Sequence, residues 1–413
     1  MFSIKFAAGI SMKILSKCAW ILAVLVAPWI LSDPLLAGEI QRCPPSSTNT
    51  VAPPDQPGLV LAEGPDLVAV RLTAPFDLPW SLAFLPDGSF LITERPGRLQ
   101  HVRPGSESRE VSGIPQVLHD KHGGLLDIAV DPGFAANGLV YMSYLRGDLT
   151  SSTMRVMRAR YDERNEALTD QKVIFEGTPA PATDQIGGRI VVTQDGYLFL
   201  TLGDRWDRAR PQDLADHAGS IVRIRTDGSI PEDNPFRARV DARDEIWSYG
   251  HRNPQGLALD RITGQLWEIE HGNRGGDELN IIQRGRNYGW PIATYSTEDD
   301  ESPIGTKEVP GTQQPVHYWV PLSIAPSGLA IETQTSRTTV WLGSLSRQMV
   351  VKLTLAGNCV VREKHYLKGQ LGRIRDIRID PNGTVYILPE NGALYRLERT
   401  LDDDDDWPDK RRL

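Results

Sequence analysis

Six times along the chain an apolar run alternates into a polar turn and returns as a second β-rich run. The six are LAFLPDGSFLITE, IAVDPGFAANGLVYMSYL, IVVTQDGYLFLTLGD, LALDRITGQLWEIEHG, LAIETQTSRTTVWLGSL and IRIDPNGTVYILPENGALYRL. Period-two alternation around Asp, Asn and Gly turns predicts six antiparallel hairpins. The turns fall near residues 88, 138, 196, 264, 338 and 383, a spacing of roughly 60 residues that suits a four-stranded propeller blade with insertions. The expected fold is all-β, one six-bladed β-propeller over residues 65–399, since ring closure removes exposed sheet edges and gathers loops at the two ends of a channel. Trp80, Trp247, Trp267, Trp290, Trp319 and Trp341 are expected to pack between blades.

The ends of the chain read differently. Lys13 and Lys17 precede an apolar stretch from Cys18 to Leu31, and small residues follow to Gly38. That order predicts a secretory signal over residues 1–37, cut near Ala37, and a periplasmic or secreted protein; an uncleaved anchor is the alternative. Residues 38–64, rich in Pro, Ser and Thr, are expected to form an extended lead-in. The acidic run in residues 400–413 is expected to be a disordered tail. After signal removal Cys43 and Cys359 are the remaining cysteines, which suggests one disulfide, with two free buried thiols as the alternative. A net charge of −8 and no long basic run exclude a nucleic-acid partner.

Between the hairpins lie polar segments next to glycine: HDKHGGLLD, TDQIGGRI, YGHRNPQGL, HGNRGGDELN and GRIRDIRID. One such segment per blade, at one end of a channel, can converge on a single ligand. Arg373 and Arg375, two apart on a strand, should share a face and with Arg252 form a cationic wall suited to carboxylates. In HGNRGGDELN, three glycines let main-chain carbonyls turn toward a hard cation while Asp277 and Glu278 supply carboxylate charge nearby. A plain turn with solvated acids is the alternative reading of that loop.

GGLLD, GGRI, EIWSYGHRNPQGLAL, EHGNRGGDELNII, GRNYGWPIATY, GTQQPV and GRIRDIRIDPNG together resemble the soluble aldose sugar dehydrogenases, relatives of soluble quinoprotein glucose dehydrogenase. The resemblance spans about residues 70–398. It implies pyrroloquinoline quinone (PQQ) and Ca²⁺ as cofactors, an aldose sugar as substrate, oxidation at C1 to a lactone, and an external electron acceptor. It further implies that Arg252, Asn253, Arg373 and Arg375 contact the quinone, that Gly272 and Asn273 offer carbonyl oxygens to calcium, and that Glu278 and the Tyr288 carbonyl form a calcium pair. A monomer or homodimer, free of the membrane after signal cleavage, is expected.

Two departures from the family pattern fall at its centre. Where relatives carry the histidine that removes the sugar hydroxyl proton, this chain has Gln185, whose amide cannot serve as a base. Where relatives carry glutamine before GGLLD, it has His122. The two residue types look exchanged, so His122 is expected to touch the cofactor and act as the base, accompanied by Gln185 and Asp184. A family lysine that pairs with the cofactor falls at Ser346, beside Arg347. The other histidines, including His251 and His271, are read as structural or surface groups. The competing functions are a non-catalytic ligand-binding propeller and a calcium-dependent lactone hydrolase, and the cationic wall weighs against the second.

Overall fold

The computed structural model describes residues 60–63, 66–181, 183–334 and 337–399. The expected signal, Cys43 and the acidic tail lie outside them. Cys359 is disulfide-bonded.

Six antiparallel sheets form one ring, as the hairpin count predicts. Their innermost strands are Pro79–Phe84, Leu125–Val130, Gly187–Val192, Pro254–Leu259, Pro326–Gln334 and Ile374–Ile379, for blades one to six in order. Each innermost strand neighbours the next, and that of blade six returns to blade one. The chain closes the ring by pairing an early strand, Leu67–Arg71, with the last one, Tyr395–Arg399. Blade five has a fifth strand, because Val60–Glu63 pairs in parallel with Cys359–Tyr366. The end of the expected lead-in is thus built into the propeller.

All six predicted hairpins are present. Residue 338, where a turn is expected, lies in strand, since Arg337–Ser344 pairs with Pro326–Gln334. The TQTSRTT segment has no glycine to mark its corner, and its threonines favour strand on both sides. In blade two the turn holds a single helical turn, Phe134–Asn137, ended by Gly138 in the left-handed conformation.

Apolar side chains between the blades are nearly all inaccessible, including Leu91, Leu99, Leu125, Leu198 and Leu342. Each such side chain contributes about 1.5–3 kcal/mol on burial. Trp80, Trp267, Trp290, Trp319 and Trp341 are buried as expected. The channel itself is knitted shut by charge. Arg189 of blade three pairs with Asp376 of blade six (3.0 Å), donates to the carbonyls of Gln255 (2.7 Å) and Arg375 (3.0 Å), and lies over the Trp80 ring (4.0 Å). Asp127 of blade two accepts from Arg378 (2.8 Å) and from Ile190 N (2.7 Å). With Arg189, Asp127 and Asp376 buried, this network of ion pairs and hydrogen bonds links blades two, three and six and holds the height of Arg375.

Candidate active site

The repeat order explains why the predicted residues meet. In each blade the start of the innermost strand and the end of the second strand share one rim. His122, Asp184 and Gln185, Arg252 and Asn253, and Arg373 precede innermost strands. Arg95, His271 and Glu390 follow second strands ending at Glu94, Glu270 and Pro389.

Glu390 organises a cationic cluster at this rim. Its carboxylate accepts from Arg375 Nη2 (2.7 Å) and from Arg373 Nε, and lies 3.6 Å from Arg95 Nη2. Burial alone would raise its pKa, but Arg375 and Arg373 outweigh burial and pull it down to about 2. Three guanidinium groups thus face one carboxylate, leaving an excess of positive charge. Arg375 Nη1 also donates to Gln255 Oε1 (3.1 Å), and Gln255 Nε2 donates to Asn253 Oδ1 (3.1 Å). The amide of Gln255 therefore fixes Arg375 and Asn253 together.

His122 stands beside this cluster. Its Nδ1 lies 3.1 Å from Asp184 Oδ1, and Lys121 Nζ holds the other carboxylate oxygen at 3.1 Å. The imidazole side chain is 57% exposed toward the rim. Partial burial lowers its pKa, Asp184 raises it, and Arg375 and Arg95 lower it further, with a net downward shift. A neutral ring with Nδ1–H on Asp184 leaves Nε2 as an open proton acceptor.

Gln185 turns elsewhere. Its amide lies between Asp204 Oδ1 (2.5 Å) and Arg252 Nη2 (2.7 Å), and with the nitrogen turned to the carboxylate and the oxygen to the guanidinium it satisfies both, so Asp184, and not Gln185, accompanies His122. The Gln185 backbone is left-handed (φ 47°) and rests on Gly203, where an added Cβ would lie 2.0 Å from Gln185 O. Asp204 is buried, which raises its pKa, and it accepts from Trp290 Nε1 at 2.9 Å.

Arg252 is buried and donates to the carbonyls of Gly272 and His271 and to Asn273 Oδ1 (3.2 Å). It thus grips the glycine loop. Gly275 and Gly276 both have positive φ, and a Cβ on Gly272 would meet Gly275 O at 2.0 Å, so the loop requires glycine. Asp277 has a different role from the one expected. Buried, it accepts from Gly272 N (2.9 Å), Ser323 Oγ (2.7 Å), Ile324 N (2.7 Å) and Ala325 N (3.0 Å), which ties the loop to blade five. Glu278 instead lines a small cavity with Arg252, Glu270, Gly272, Tyr288 and Trp290. Burial, and then Glu270, push its carboxyl well above the usual range.

His271 was read as structural and belongs to the site. Its Nε2 donates to Pro326 O (2.6 Å), which directs Nδ1 at Asn253 Nδ2 (3.4 Å). Burial, reinforced by Arg252 and Arg375, holds its pKa at about 3 although Pro326 O favours the cation. Ser346 sits just past the second strand of blade five, its hydroxyl on Ser323 O at 3.0 Å. Arg347 N is tied to Ser344 Oγ (3.1 Å), and no contact of either residue with the arginine cluster is seen among the described residues.

A six-bladed propeller carrying these motifs at one rim is the fold of the sugar dehydrogenases. Residues 76–396 match the Glucose / Sorbosone dehydrogenase family, and the chain belongs to that family. The aldose sugar dehydrogenase YliI of Escherichia coli is 39% identical over 334 residues, covering 78% of this chain and 90% of that protein. The apo crystal structure of the soluble aldose sugar dehydrogenase from Escherichia coli matches with a TM-score of 0.77 at 38% identity, covering 81% of this chain and all of that one. The PQQ-bound aldose sugar dehydrogenase from Streptomyces coelicolor matches with a TM-score of 0.70 at 28% identity, covering 82% and 100%.

Proposed function

We propose that the protein oxidises aldose sugars at C1 to lactones using PQQ and Ca²⁺, and passes the electrons to an external acceptor. The observation that carries this reading is the His122–Asp184 pair standing beside the Arg95, Arg373 and Arg375 cluster at one rim.

The residues present fit the cofactors. Arg95, Arg373 and Arg375 share the single carboxylate of Glu390, and an anionic ligand offsets the positive charge left over. Arg373, Arg375 and Arg95 would hold the quinone carboxylates, with Arg252 and Asn253 beneath them. Calcium would take the carbonyls of Gly272 and Asn273. Gly272 O already accepts from Arg252 and keeps its second lone pair. Glu278 and the Tyr288 carbonyl would form a second calcium pair, since a buried carboxyl next to Glu270 calls for a cation. When bound, the quinone supplies a hydride acceptor and calcium polarises it.

The rest of the chemistry belongs to side chains of the chain. His122 Nε2 takes the proton of the C1 hydroxyl as hydride leaves C1, and Asp184 stabilises the imidazolium that forms. Gln185 performs no proton transfer; it holds Arg252 and Asp204 in place. An exported location remains part of the proposal, and no helix among the described residues is long and apolar enough to cross a membrane.

Purified protein incubated with PQQ and Ca²⁺ should reduce a dye when glucose or another aldose is added, with lactone as product. His122→Ala should bind PQQ and lose most of the turnover. Binding without turnover in the wild type would favour a recognition propeller, and lactone hydrolysis without PQQ would favour the hydrolase.

A further inference from the structure

Behind the rim, between blades three and four, Glu278 adjoins a group of side chains, His251, Glu268 and Glu270, to which the proposed reaction assigns no ligand. The strands Leu266–Glu270 and Asp277–Ile282 pair so that Glu268 faces Asn280 and Glu270 faces Glu278. Residues two apart share a sheet face, so all four side chains project to the same side. His251 arrives there just before the innermost strand of blade four, stacked on the Tyr288 ring at 4.6 Å. One ligand atom each from His251, Glu268 and Glu270 lies within 4.8 Å of the others, and all three residues are buried.

Two acceptor atoms in this cluster have no partner, Glu268 Oε1 and Asn280 Oδ1. Glu268 is wholly inaccessible and Asn280 is 1% exposed. The Asn280 amide nitrogen is already committed to Glu268 Oε2 (3.1 Å) and Glu270 Oε1 (3.4 Å). A cation beside Glu268 Oε1 gives that buried lone pair a partner in a dry, acidic site, within reach of Glu270 and His251. The imidazole is also poised for it. His251 Nε2 lies 2.9 Å from Ser248 Oγ, while Nδ1 lies 3.4 Å from Glu270 Oε1, too far for a good hydrogen bond. Donation from Nε2 to Ser248 leaves the Nδ1 lone pair facing the carboxylates, the usual way a ligating histidine is oriented.

We propose that His251, Glu268 and Glu270 form a divalent cation site behind the rim. Two carboxylates and one imidazole nitrogen suit Mn²⁺ or Zn²⁺ better than the all-oxygen preference of Ca²⁺. The bound ion acts on the rim through Glu270, whose Oε2 accepts from Arg252 N at 2.5 Å. It neutralises the acids behind Arg252 and fixes the backbone from which that side chain reaches the glycine loop.

The test uses the full-length protein, stripped with a chelator, dialysed into Mn²⁺ and freed of unbound metal. Elemental analysis is then compared for wild type, Glu268→Gln and Glu278→Gln. The wild type should retain one Mn²⁺ that Glu268→Gln loses and Glu278→Gln keeps, and Zn²⁺ should displace it where equimolar Ca²⁺ does not. No retained metal in the wild type, or loss on Glu278→Gln alone, overturns the site; displacement by Ca²⁺ overturns the metal class. If Glu268→Gln fails to fold, anomalous diffraction at the manganese edge of wild-type crystals replaces it. A peak among His251, Glu268 and Glu270 supports the site, and a peak only elsewhere, or a water in its place, overturns it.

Discussion

Replacing Glu390 with Gln should destabilise the protein by about 3 kcal/mol at pH 7. The carboxylate is 90% buried at the side chain, and Arg375 and Arg373 outweigh that burial to bring its pKa from 4.5 to about 2. A difference of about 2.5 units at about 1.4 kcal/mol per unit gives roughly 3 kcal/mol. Because the folded value lies below the unfolded one, this stability is complete above about pH 4.5 and disappears as pH falls through 2. The gap between wild type and Glu390→Gln in urea unfolding should therefore narrow from about 3 kcal/mol at pH 7 to about 1.5 kcal/mol at pH 3. Other acid-sensitive groups, such as Glu363 between His317 and His365, act in both proteins and cancel in the difference. The variant also leaves three guanidinium groups facing one another without a counter-ion, so their spacing should widen and PQQ should bind more weakly. A gap below about 0.5 kcal/mol at pH 7, or one that does not change with pH, would refute the assignment of Glu390 as the organiser of the cluster.

His122→Ala should lower kcat by about 10²–10⁴, the usual contribution of a positioned base, as read by dye reduction with saturating PQQ. Asp184→Asn removes the charge that raises the His122 pKa, so the acid limb of the kcat/KM profile should move to lower pH while the maximum falls; a limb that moves up would contradict the pairing. Gly203→Ala places a methyl group on the Gln185 carbonyl, so the thermal midpoint should drop and the Asp204–Gln185–Arg252 chain should be disrupted, visible as weaker PQQ binding in a fluorescence titration.

Six alternating hairpins made the blade count legible in the sequence, because side-chain period and turn chemistry are local properties. The strand at residue 338, where a turn is expected, shows where that logic thins, in a threonine-rich stretch with no glycine. The place of the candidate site residues was legible where glycine-bounded motifs precede innermost strands, as for His122, Arg252 and Arg373. It was not legible at Arg95, His271 and Glu390, single residues that follow second strands and belong to no glycine motif. Their shared place in the repeat was the available signal: aligning the six hairpins puts them at the same rim as the motifs. Asp277 and Gln185 show the opposite limit. Residue type suggested a metal or a pocket partner, while long-range hydrogen bonds to blade five and to Arg252 decide what each one does.

In the proposed reaction PQQ bound at this rim would accept the hydride from C1 of an aldose while His122 takes the hydroxyl proton. The most direct measurement is anaerobic single-turnover reduction of PQQ bound to the wild-type protein with Ca²⁺, comparing glucose carrying hydrogen at C1 with glucose carrying deuterium there. The account predicts that the quinone spectrum converts to the reduced form and does so several-fold more slowly with deuterium. A bound quinone that stays oxidised in the presence of sugar, or is reduced at a rate indifferent to the label, would contradict it.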